Sequence, residues 1–272
     1  MALPTFVIAG VHRSGTSSLW IWLRDHPDVY MSADKELEYF SYHYNRGPEW
    51  YHAQFEPGRD RPARGEASPS YVYSDTTMER LTTDLPDVRA IVCVRQPIDR
   101  AVSHYTYQRS MGFEPRPLEE ALRAELDSPE TAGHPHLRDG RYDQIIDRLD
   151  RFVPRERQLI VLFDDLANDP EGVFRSVCEF IEVPPALSSS VGTAFNRSTR
   201  LRSQWLRHSM LAHRPWKLLP LRFRYWIDSL NRTETEHEKL SPALRATLID
   251  YFAASTSAVE ARLGRPLPNW RI

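Results

Sequence analysis

Apolar residues fall into two rhythms along this chain. Short continuous runs alternate with stretches in which an apolar residue returns every three or four positions. The runs Thr5–Ala9, Ala90–Arg95 and Leu159–Phe163 read as buried strands. The helical rhythm predicts Thr16–Asp25, with Leu19, Trp22 and Leu23 on one face, and Thr76–Leu85, stopped by Pro86. It predicts a helix opened by Pro97 and reaching Arg109, then Leu118–Leu126 and Tyr142–Phe152. Asp169-Pro170 starts another through Ile181, with Val173, Phe174, Val177 and Phe180 as its apolar stripe. Ser241-Pro242 caps a last helix running to Leu263. Alternating strand and helix predicts an α/β fold with a central parallel sheet flanked by helices. Residues 1–272 are expected to form a single domain, since no linker divides them.

Two segments resist the pattern. Glu56–Ser70, rich in Pro, Gly and Arg, reads as a loop around a short strand. Arg197–Arg224 is basic and aromatic without a clear period, and is expected to be a surface excursion or a lid.

Composition narrows the function. Hydrophobic residues make up 41% and charged residues 26% of the 272, which suits a folded domain and excludes a disordered chain. No apolar run approaches the roughly 18 residues that span a bilayer. Neither a basic leader nor an anchor is read at the N-terminus, where apolar residues begin at once in Phe6-Val-Ile-Ala9. Lys+Arg 35 against Asp+Glu 37 gives a net charge of −2, which argues against nucleic acid as a partner but leaves room for one local anion site. Only Lys35, Lys217 and Lys239 are lysines. Cys93 and Cys178 are too few for a disulfide framework or a zinc site of their own, and Cys93 lies within a strand as a core residue. A cytoplasmic setting is expected.

The sharpest local feature is Gly10-Val-His-Arg-Ser-Gly-Thr-Ser17, which follows a strand and opens a helix. Backbone N–H groups at such a helix start cradle phosphate, and the helix dipole adds to the attraction. The nucleoside-triphosphate form of this loop needs Lys where Thr16 stands, and a strand-end Asp for Mg²⁺ where the second strand offers Arg95. The cation has moved to Arg13. The second feature is Val94-Arg-Gln-Pro-Ile-Asp-Arg-Ala-Val-Ser103, in which a strand delivers Arg95 and a helix carries Ser103 about two turns on. Two β–α anion turns with protein cations and no metal set suit a nucleotide carrying separate 5′- and 3′-phosphates. A P-loop nucleotide kinase and a non-catalytic nucleotide-binding module remain as alternatives.

These residues resemble the sulfotransferases that use 3′-phosphoadenosine-5′-phosphosulfate (PAPS). The resemblance implies a P-loop-like three-layer fold, PAPS as donor with 3′-phosphoadenosine-5′-phosphate (PAP) as product, and no metal. It implies that Arg13, Ser14, Gly15, Thr16 and Ser17 hold the 5′-phosphosulfate, and that Arg95 and Ser103 hold the 3′-phosphate. Gly140-Arg-Tyr-Asp143, Gln158–Asp165 and Leu267-Pro-Asn-Trp270 extend the likeness over nearly the whole chain. Arg200 and Arg202, within Asn196–Ser203, are expected to close over the 3′ side of the nucleotide.

Lys35-Glu-Leu-Glu-Tyr-Phe40 and Gly47-Pro-Glu-Trp-Tyr51 are similar to segments of heparan-sulfate and related bacterial sulfotransferases. That likeness makes Glu36 the candidate general base, on condition that burial raises its pKa toward neutrality. Glu38 is the local rival and His43 the chemical one; His12 and His104 flank the phosphate turns and either bond or pack there. Two departures stand out: Arg13 where many relatives carry Lys, and Ala67 where the heparan-type enzymes carry a second active-site Lys. Tyr39, Phe40, Tyr42, Tyr44, Trp50 and Tyr51 are either core or a wall for stacking a sugar ring. The acceptor expected is a carbohydrate or a glycosylated small molecule.

Overall fold

The computed structural model describes residues 2–129, 134–188, 190–192, 199–201, 232–234 and 239–272. Its centre is a five-stranded parallel sheet: β1 (Phe6–Gly10), β2 (Val29–Met31), β3 (Ala63–Ala67), β4 (Arg89–Val94) and β5 (Gln158–Leu162), in the order β2-β3-β1-β4-β5. Val7 pairs with Glu66 on one side and with Ala90 on the other, and Ala90 pairs with Gln158. The chain leaves β1 toward β2, then returns past β1 to reach β4. In such a sheet the crevice outside the carboxyl ends of the strands, at the point where the order reverses, takes ligands. Here that point lies at the ends of β1 and β4.

Both faces of the sheet are covered, which explains why β1 and β4 read as unbroken apolar runs. Phe6, Ile8, Ile91 and Cys93 face one layer with Leu19, Trp22 and Leu23 of α1 (Thr16–Arg24) and Phe174, Val177 and Cys178 of α8 (Pro170–Phe180). Val7, Ala9, Val92 and Val94 face the other layer with Leu81 of α3 (Asp75–Asp84), Leu149 of α6 (Tyr142–Phe152) and Val259 of α10 (Ala253–Leu263). A third apolar cluster joins α4 (Pro97–Ser110), α5 (Leu118–Asp127) and α9 (Pro242–Tyr251).

Several elements depart from the sequence expectation. The last helix is two, α9 and α10, with Phe252 buried at the break in the third cluster. Two short helices, α2 (Pro48–Ala53) and α7 (Phe163–Asn168), have too few turns to show a period. The short strand expected within Glu56–Ser70 is β3, an interior strand of the sheet. Within the unassigned basic segment, β6 (Thr199–Leu201) pairs antiparallel with β7 (Arg232–Glu234). The remainder of Arg197–Arg224 lies outside the described residues, and with it any lid. Among the described residues, no helix is long and apolar enough to cross a membrane.

Candidate active site

The loop after β1 is pinned at two points. Val11 N–H donates to the Cys93 carbonyl at 2.9 Å, and His12 N–H donates to Tyr73 Oη at 3.1 Å. Arg13 and Gly15 both adopt the left-handed conformation, φ 68° and 92°. Only glycine suits the second position, since a Cβ there would also lie 2.7 Å from the Leu166 side chain. Gly15 is the N-cap of α1, whose first turn carries no acidic residue and no side-chain cap. The first intrahelical bond runs from Leu19 N–H to the Gly15 carbonyl at 3.2 Å. The N–H groups of Thr16 and Ser17 therefore have no acceptor within the helix, and the positive end of the dipole is left uncompensated by the first turn. Ser14 and Thr16 are buried, while Ser17 is half-buried.

The second turn follows β4. Gln96 caps α4 by accepting the Asp99 N–H at 2.7 Å. The Tyr142 hydroxyl donates to the Arg95 carbonyl at 2.7 Å and accepts the Arg95 N–H at 3.3 Å, so the strand end is held rigidly. The Arg95 guanidinium lies 4.5 Å from the Phe163 ring centroid. Two turns along α4, buried Ser103 accepts a hydrogen bond from Arg13 Nε at 3.1 Å. The Arg13 guanidinium also sits 5.2 Å from the Tyr107 ring centroid. A loop residue and a helix residue ninety positions apart thus meet, and the two β–α turns become one surface. The β6 backbone lies against α4, which brings Arg200 to the same helix; Arg202 lies outside the described residues.

Glu36 stands beside this surface because its N–H donates to the Ala67 carbonyl at 2.9 Å, at the end of β3. Its electrostatics correct the sequence expectation. The side chain is 46% exposed and accepts a 2.5 Å hydrogen bond from Lys35 Nζ. Partial burial would raise its pKa, but the charge and hydrogen bond of Lys35, helped by the Arg13 charge, outweigh that and hold it below the ordinary value. The rivals differ. Glu38 bonds to Ser41 Oγ at 2.6 Å and to Ser70 Oγ, and burial raises its pKa. His43 is tied through its backbone N–H to the carbonyls of Glu38 and Tyr39.

The aromatic segment resolves mainly as core: Tyr39 stacks on Tyr51, Phe40 meets both edge-on and all three are buried, whereas Tyr42 is 73% exposed. Below them lies a carboxyl group that sequence reasoning missed. Glu66 is fully buried and accepts from Tyr51 Oη at 2.7 Å, Tyr71 Oη at 2.8 Å and Ser68 Oγ at 2.6 Å. Burial raises its pKa to about 7 against these bonds. A charged residue in a short, mixed strand gives no periodic signal. His12 also gains a partner that spacing could not reveal, the carboxylate of Asp139, 127 positions away by number and 4.0 Å from its Nδ1.

Residues 3–220 match the family described as Sulfotransferase domain. This chain belongs to the sulfotransferase family. Among similar proteins, the membrane-associated sulfotransferase kil1 of Dictyostelium discoideum is 34% identical over 110 residues, 39% of this chain and 23% of that protein. Heparan sulfate glucosamine 3-O-sulfotransferase 6 of Mus musculus is 33% identical over 180 residues, 65% of this chain and 52% of that protein. The sulfotransferase-family chain thus spans no more than about half the length of either relative. The crystal structure of a sulfotransferase from Alicyclobacillus acidocaldarius superposes with a TM-score of 0.76 at 25% identity, covering all of both chains. These likenesses agree with the P-loop-like α/β arrangement of five parallel strands described above.

Proposed function

We propose that this chain transfers the sulfonyl group of PAPS to an acceptor hydroxyl, on a carbohydrate or a glycosylated small molecule. The observation that carries this reading is the Arg13–Ser103 hydrogen bond, which joins the loop after β1 to the helix after β4 at the carboxyl ends of the central strands. The site fits a nucleotide with two separate phosphate groups. The uncapped start of α1, with Ser14, Gly15, Thr16 and Ser17, receives the 5′ end; Arg95, Ser103 and Arg200 receive the 3′-phosphate. The donor supplies an activated sulfonyl group. Arg13 takes up the charge that develops on the departing phosphate oxygen, acting electrostatically because a guanidinium keeps its proton. Glu36 accepts the hydroxyl proton. Held ionised by Lys35, it does so as the oxygen–sulfur bond forms and the hydroxyl becomes acidic, in place of the standing high-pKa base the sequence suggested.

The test pairs binding with turnover. PAP should raise the melting temperature without Mg²⁺, because a ligand that binds only the native state stabilises it by mass action. Labelled PAPS offered with a panel of sugar, glycoside and amine acceptors should give a sulfated product by mass spectrometry. A shift with ATP–Mg²⁺ and none with PAP would instead favour the kinase reading, against which Thr16 stands in the place of the phosphate-binding Lys.

A further inference from the structure

Arg13 leaves one chemical need unmet. The phosphate oxygen released from sulfur gains negative charge, and a guanidinium supplies no proton to it. The residue before Arg13 in the same loop does titrate. The His12 ring stacks on Tyr73, with centroids 5.5 Å apart and planes 20° apart, and its side chain is 31% exposed. Its Nδ1 faces Asp139, whose side chain is 9% exposed and sits on the turn Arg138–Gly140 behind the loop. Among the described residues, Nε2 makes no hydrogen bond to protein.

We propose that His12, with Asp139 as its fixed counter-charge, is a further catalytic residue that donates a proton to the departing phosphate oxygen. This rests on the sulfotransfer reading. In the free protein His12 is neutral. Burial lowers its pKa to about 4, a tendency that Glu36 opposes and that Lys35, Arg100 and Arg13 reinforce. His104 of α4 is a further titratable neighbour, and the stacked Tyr73 stays neutral because burial pushes its pKa well up. Asp139 is raised to about 6, chiefly by burial, so at neutral pH it is mainly carboxylate. A polyanionic nucleotide at the start of α1 reverses the balance. Its negative charge favours imidazolium, and imidazolium in turn favours the Asp139 carboxylate at 4.0 Å. Binding therefore takes up a proton and leaves Nε2–H as a donor.

The step balances. The acceptor oxygen forms its bond to sulfur while its proton passes to Glu36. The bond between sulfur and the bridging oxygen breaks, and its electron pair stays on that oxygen. The Nε2 proton of His12 passes to the oxygen, and imidazole returns to neutral. Glu36 then releases its proton to solvent.

The experiment compares wild type, His12→Gln, His12→Gln/Arg13→Lys and Asp139→Asn. PAP binding is followed by calorimetry in buffers of different ionisation enthalpy, and turnover by labelled PAPS. Wild type should take up a proton on binding PAP; His12→Gln and Asp139→Asn should not. His12→Gln should bind PAP within about tenfold of wild type and lose about a hundredfold in turnover, the usual size of a lost proton donor. Adding Arg13→Lys should recover at least about tenfold of that loss, since an ammonium carries a titratable proton next to the same oxygen. Should His12→Gln fail to fold, Asp139→Asn, which keeps the imidazole, carries the test through the missing proton uptake. Turnover of His12→Gln within about threefold of wild type, equal proton uptake in wild type and Asp139→Asn, or no recovery with Arg13→Lys would each overturn the assignment. A wild type that binds no PAP and transfers no sulfonyl group would instead overturn the sulfotransfer reading itself.

Discussion

Arg13 reaches Ser103 through Nε and lies over the Tyr107 ring, so its guanidinium is held between the loop after β1 and α4. If its role is charge stabilisation, Arg13→Lys should retain substantial turnover, whereas Arg13→Ala should lose on the order of 10²–10³, as for one preorganised donor at a transition state. Arg13→Ala at wild-type turnover and wild-type PAP affinity would remove the residue from the mechanism. Its position in the loop was legible because the strand–glycine–helix pattern is local. The state of Glu36 was not, although its neighbour Lys35 is adjacent in sequence. Whether a carboxylate is raised by burial or lowered by cations depends on what lies around it, and Arg13 comes to it from another loop.

Strand β3, expected only as a short strand within a loop, shows how little element reading says of a strand's place in the sheet. Its sequence, Ala63-Arg-Gly-Glu-Ala67, has none of the apolar continuity of β4, yet it lies between β2 and β1. Glu66 is tolerated inside because two tyrosines and a serine satisfy its oxygens, and Gly65 lets the strand approach the Phe6 ring. A Cβ on Gly65 would stand 2.3 Å from Phe6 Cζ, with the ring buried and unable to swing aside freely. Gly65→Ala should therefore destabilise the fold by about 1–3 kcal/mol, the usual range for overpacking, read as a lower urea midpoint at unchanged slope. A midpoint equal to wild type would show that β3 can move away from β1. The elements that were legible, β1, β4, β5 and the longer helices, bury a regular face. Those that were missed, such as β2, α2 and α7, are too short to show a period.

The buried carboxyl of Glu66 ties the stability of the entire fold to pH. Its folded pKa of about 7 exceeds the ordinary 4.5, so between these values the native state binds more protons than the unfolded chain. Its contribution is present at low pH, falls as pH rises through that window, and levels off above about 7. The full change is on the order of 3 kcal/mol. Asp139, raised to about 6 by burial, acts with the same sign, while His12 and His136, lowered to about 4 by burial, act with the opposite sign between about 4 and 6.5. The wild-type profile is a sum, and the difference between wild type and Glu66→Gln isolates the single group. That difference should shift by kilocalories in favour of the variant from pH 5 to pH 8 in urea titrations. A constant difference would show that Glu66 is already ionised in the folded protein.

The sequence by itself determined the alternating α/β plan, the turn that starts α1, and the arginines at the two β–α turns. All of these rest on contacts within a few residues: the period of apolar side chains, glycine in a left-handed turn, a proline opening a helix. Only the tertiary structure decided the order of the strands, the place of β3, the bond between Arg13 and Ser103, and which carboxyl groups are raised and which are lowered. Such outcomes depend on groups brought together from distant parts of the chain, and the Coulomb and desolvation energies that set them vary with separation in space, which spacing along a sequence does not carry.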